Sequence, residues 1–174
     1  AYYGERKSLE TTKMATGNGI AMRAPLCGLA AVFGAAGLLP FITSAVLLWA
    51  GPLTLKPLLV TALTACGACI LAYLGGIDWG LVASLNDRQD AYSTGMPMFV
   101  IAWSNFPALI GFAALITPPP WSLAILLVGY ILTLTADLAL ARRGIAPNGF
   151  PNLRVTLTGF VVICLASALA CELR

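Results

Sequence analysis

LLVTALTACGACILAYLGGIDWGLVASL, residues Leu58–Leu85, decides the fold. It exceeds the roughly 20 apolar residues that a helix needs to cross a bilayer. Its one charged side chain is Asp78, set within Gly75-Gly76-Ile77-Asp78-Trp79-Gly80. A carboxyl inside a span is costly and needs a partner or a purpose. Glycines there let another backbone come close.

Working outward, the same pattern recurs along the chain. Apolar runs cover Leu26–Trp49, Met98–Ile116, Trp121–Ala141 and Val155–Cys171. The 174 residues are 59% hydrophobic and 10% charged. A soluble domain carries about 25% charged residues, so this chain belongs in a membrane. Short alternating segments of the β-barrel kind are absent from the sequence. The expected fold is an all-α bundle of five transmembrane helices spanning 26–49, 58–85, 98–116, 121–141 and 155–171. Residues 25–174 form that domain, behind a polar N-terminal extension, 1–24. Pro40 and Pro107 fall inside the first and third runs, where kinks are expected rather than breaks.

Charge placement orients the bundle. Arg6, Lys7, Lys13 and Arg23 precede the first run, Arg88 follows the second, and Arg142, Arg143 and Arg154 surround the loop before the fifth. With five spans these fall on one side, leaving Lys56 and Arg174 on the other. The positive-inside rule then puts the N-terminus inside, in matrix or cytoplasm, and the C-terminus outside. A nucleic-acid footprint would need a clustered basic face, and none is present. Residues Ala1–Gly19 lack the apolar core of a secretory signal. Removal of a mitochondrial presequence would account for a first residue other than Met, as would trimming.

On a helix, Ala65, Cys69, Ala72, Gly76 and Gly80 make one stripe of small residues. With Gly75 they are candidates for close helix packing, within the chain or against another protein. Asp78 lies about 200° around the helix from Gly76, so the carboxyl faces other neighbours. Asp78, Asp137 and Arg154 converge on one leaflet. Arg154 is expected to bridge to Asp78 or Asp137 and pin three spans together. The same charges could instead serve a proton or ion relay. Trp49, Trp79 and Trp121 suit the membrane interfaces. Trp103-Ser104-Asn105 brings polar groups into the third span, for cross-helix bonds or a small pocket.

The chemistry-bearing motifs are sparse. There is no histidine in the chain, which removes imidazole ligation and histidine acid–base catalysis. Cys66-Gly67-Ala68-Cys69 has C-x-x-C spacing, but in an apolar helix it reads as small core residues rather than a metal or redox site. No phosphate-binding loop, H-E-x-x-H or nucleophile elbow occurs. The chain is therefore expected not to be an enzyme and to bind no cofactor or metal, with lipids as bound molecules.

Four segments carry a resemblance: Gly37-Leu38-Leu39-Pro40-Phe41, Leu74 to Gly80, Asp137-Leu138-Ala139-Leu140-Ala141-Arg142, and Leu153 to Thr158. In order and spacing the chain resembles the transmembrane protein 69 family, small five-span proteins of bacteria and mitochondria. That pattern often has His where this chain has Asp78, which removes a histidine-based role here. The resemblance implies a mitochondrial inner membrane, or alternatively a bacterial cytoplasmic membrane. With so little outside the bilayer, the expectation is a non-catalytic accessory or assembly subunit of a larger inner-membrane complex, most plausibly respiratory. Its partners would be other membrane subunits and lipids, not nucleic acid. The alternatives are a small proton-coupled transporter using Asp78 and Asp137, or a lipid- or quinone-binding protein.

Overall fold

The computed structural model describes residues 32–83, 96–143 and 149–174. The N-terminal extension 1–24 and Arg88 lie outside the described residues. Every regular element among the described residues is helical. In lipid, a helix satisfies each backbone group within its own segment, which the apolar runs require.

Residues 32–36 make a short helix that a turn at Gly37 and Leu38 joins to α1, Leu39–Ala50. A 3-10 turn, Leu53–Leu55, leads into α2, Lys56–Ala83. Then follow α3, Met96–Ser104, and α4, Phe106–Ile116. The bundle is completed by α5, Trp121–Arg142, and α6, Phe150–Glu172. Four stretches are long and apolar enough to cross a membrane: Val32–Ala50, Leu53–Gly80, Trp121–Arg142 and Phe150–Glu172. Val100–Ile116 is shorter. Four to five helices can therefore span.

Proline explains the two interrupted segments. Pro40 and Pro107 each fall in the first turn of α1 and α4, where a missing N–H is tolerated. The residues before, Leu38 and Asn105, keep right-handed helical backbone, with φ of −80° and −82°. The helix is interrupted by a turn at Gly37-Leu38 and at Asn105 and resumes within the same apolar stretch. Helix α6 begins at Phe150, earlier than the expected 155, with Pro151 in its first turn and Gly149 before it at φ 91°. That earlier start places Arg154 inside the helix rather than at its mouth.

The helices close a ring: α1 packs on α2, α2 on α4, α4 on α5, α5 on α6, and α6 on α1. Helix α2 also reaches across to α5 and carries α3 on its side. Its buried face reads Val60, Leu63, Thr64, Gly67, Ala68, Leu71, Gly75 and Asp78. That spacing of three and four is one face of a helix. Leu123, Leu126 and Tyr130 of α5 and Leu165 and Ala168 of α6 complete the core with Phe41 of α1.

Small residues set the crossings. A side chain at Gly75 would collide with the Ser104 carbonyl, so α2 meets the α3–α4 bend backbone to backbone. One at Gly111 would stand 3.0 Å from the Ala68 carbonyl. The expected stripe does something else. Cys69, Gly76 and Gly80 are exposed and Ala65 and Ala72 half-buried. Among the described residues nothing lies within 4 Å of where a Cβ on Gly76 or Gly80 would stand. Packing within the chain by Gly76, Gly80 and Cys69 is thus corrected: the internal contact glycines of α2 are Gly75 and Gly67, on the opposite face.

Candidate functional site

Asp78 lies one turn before the end of α2, Asp137 one turn before Arg142 on α5, and Arg154 in the second turn of α6. Three helices thereby deliver three charges to the same end of the bundle, the end that carries Arg142 and Arg143. Asp78 is 0% exposed, Asp137 2% and Arg154 5%. The Arg154 guanidinium ion-pairs with the Asp137 carboxylate. The Asp78 carboxyl interacts with the Asp137 carboxyl and lies within the field of Arg154. Neither Asp78 oxygen has an N–H or O–H donor among the described side chains and backbone. Of the two expected partners for Arg154, the structure selects Asp137 and places Asp78 behind it.

The surroundings are apolar or already engaged. Phe150 stacks beneath Arg154, its ring centroid 5.6 Å from the guanidinium carbon. Cation–π contact of this kind offsets part of the desolvation of a buried arginine. Thr133 donates to the Gly129 carbonyl at 2.9 Å, and Ser104 to the Ile101 carbonyl at 2.7 Å. Asn105 also turns back to Ile101, at 2.9 Å, and is exposed. The expected cross-helix role of Ser104 and Asn105 is therefore replaced by bonds within their own helix.

Two turns from the charges, the Tyr130 hydroxyl donates to the Gly67 carbonyl at 2.9 Å, tying α5 to α2. A side chain at Gly67 would collide with Leu126 of α5, so the two helices meet closely here. A second cluster, not anticipated from the sequence, closes the far end. Lys56 pairs with Glu172 at 3.6 Å and donates to the Cys171 carbonyl at 3.1 Å. Trp49 donates to Ser167 at 2.9 Å, and Arg174 covers its ring at 4.8 Å. Opposite charges at the ends of two runs on one side were the signal for the Lys56 pair. Trp49, Trp79 and Trp121 are all exposed, on the outer surface of the bundle. Beside α3 and α5 lies a groove of about 270 Å³, walled by Val100, Trp103, Ala136 and Leu140, with Arg143 at its rim.

Among the described residues no three His, Cys, Asp or Glu side chains come together to hold a metal. Cys66 and Cys69 are both free thiols, the second exposed.

A helical bundle of apolar spans, with Asp78, Asp137 and Arg154 buried at one end and Trp49, Trp79 and Trp121 turned outward, defines a polytopic helical membrane protein. The model of a family described as proteins of unknown function (DUF3429) matches residues 28–170, and the chain belongs to that family. It is 35% identical over 139 residues to "Transmembrane protein 69" of Xenopus tropicalis, covering 78% of this chain and 51% of that protein. The chain thus spans about half the length of the curated relative it matches. No solved structure matches it.

Proposed function

We propose that this protein is a non-catalytic accessory or assembly subunit of a larger inner-membrane complex, with all five helical segments crossing and the N-terminus inside. One observation carries this reading. Cys69, Gly76 and Gly80 form a small-residue stripe on α2 that faces outward, between the exposed rings of Tyr73 and Trp79. Small residues at this spacing allow close backbone approach between helices in lipid. Among the described residues no helix uses that approach at Gly76 or Gly80, and we assign it to a helix of another subunit. The mitochondrial inner membrane is the setting, and a respiratory complex the intended partner. The site needs no cofactor, and the groove at Arg143 suits a lipid acyl chain.

Native-gel migration in mild detergent tests this. The wild-type chain should run within a large assembly. Gly76→Leu should run as the free chain with unchanged thermal unfolding. A wild-type chain that runs alone from its native membrane would sink the proposal. The adjacency of Asp78 and Asp137 favours a second reading, a proton-coupled carrier. Flux into reconstituted vesicles that Asp78→Asn abolishes would decide for it.

A further inference from the structure

We propose that Asp78 and Asp137 form a one-proton binding site, a single proton shared between the two carboxyls beside Arg154. The inference stands apart from the accessory-subunit reading and holds for either function.

The geometry carries it in three steps. First, Arg154 is committed to Asp137, the carboxylate it pairs with. One guanidinium balances one carboxylate, so a second ionised carboxyl would leave the cluster with an uncompensated negative charge. Second, Asp78 is wholly enclosed, and its oxygens receive no donor among the described groups. An ionised carboxylate in that position would be enclosed beside a cation already paired with Asp137, an unfavourable way to bury a second charge. Third, the two carboxyls lie close enough to interact with one another. Two carboxyl groups bond to each other only through a proton on one of them, and two adjacent carboxyls sharing a proton behave as a unit.

Other polar groups do not change the count. On α5, Tyr130 and Thr133 donate to the carbonyls of Gly67 and Gly129. On α3, Ser104 donates to Ile101. On α6, Thr158 is buried and uncharged. With one proton present, the three helices meet around a neutral set: a guanidinium, a carboxylate and a carboxylic acid. Asp137 is five residues from Arg142, about 8 Å along the helix, so the site lies near the arginine end of the bundle.

Infrared spectroscopy of the full chain in lipid nanodiscs, with isotope-labelled aspartate, reads this directly. At neutral pH the wild type should show the carbonyl band of a protonated aspartic acid, moved by the label and by deuterium oxide. Asp78→Asn should lose that band while keeping its helical circular dichroism, because the amide imitates the neutral acid. Arg154→Leu should roughly double it, since both carboxyls then need a proton. A wild-type spectrum with no such band overturns the proposal without recourse to any variant. So does a band that persists at full strength in both Asp78→Asn and Asp137→Asn.

Discussion

The Tyr130 hydroxyl of α5 donates to the Gly67 carbonyl of α2 at 2.9 Å, across the middle of the bundle. It is a polar link between the two helices that face each other across the ring, and the bare backbone at Gly67 makes room for the Leu126 side chain beside it. Tyr130→Phe keeps the ring and its edge-on contact with Phe41 while removing the bond. Interhelical bonds in membranes contribute about 0.6 kcal/mol on average and up to about 1.7. Equilibrium unfolding in detergent should show a loss of about 1 kcal/mol, and a larger loss would mean that packing changed too.

Arg154→Leu removes the cation that Asp137 pairs with, so that carboxyl must take up a proton to stay buried and the tie between α5 and α6 is lost. Breaking one side of a buried pair typically costs about 3–5 kcal/mol. Thermal unfolding of the purified chain should shift down clearly. Unchanged stability would show that Arg154 does not hold α5 and α6 together.

Gly75→Ala and Gly76→Ala should behave as opposites although the residues are neighbours. A methyl group at Gly75 runs into the Ser104 carbonyl, whereas at Gly76 it meets open space. Overpacking of this kind costs about 1–3 kcal/mol. Unfolding midpoints of the isolated chain should fall for Gly75→Ala and hold, or rise slightly, for Gly76→Ala. Equal effects would contradict the assigned face of α2.

At the other end, the Lys56–Glu172 pair is partly exposed at 3.6 Å. Pairs of that sort contribute at most about 1 kcal/mol. Glu172→Gln should therefore leave stability nearly unchanged, and raising salt should matter little. The comparison with Arg154→Leu separates a surface clasp from a buried one on the same helix.

Orientation is open to direct labelling. In a cysteine-free background, single cysteines at Arg143 and at Arg174 should react with a membrane-impermeant reagent from opposite sides of sealed vesicles. Reaction of both from one side would refute the five-span arrangement.

Much of this architecture was legible in the residues themselves. Lipid forbids unsatisfied backbone groups, so any sufficiently long apolar run becomes a helix whatever its neighbours do. That one-dimensional rule located α2, α5 and α6, and the prolines at 40 and 107 marked the bends. Charges are so scarce in such runs that Asp78, Asp137 and Arg154 stood out as a set. What needed the tertiary structure was rotation and pairing. A helix that is apolar all round gives no sign of which side turns inward, so the stripe through Gly76 and Gly80 could not be told from the contact face through Gly67 and Gly75. Nor could spacing along the chain say which aspartate Arg154 would reach. Side-chain packing across the ring decided both, turning α2 so that Asp78 lies enclosed beside Asp137 and Gly76 faces outward.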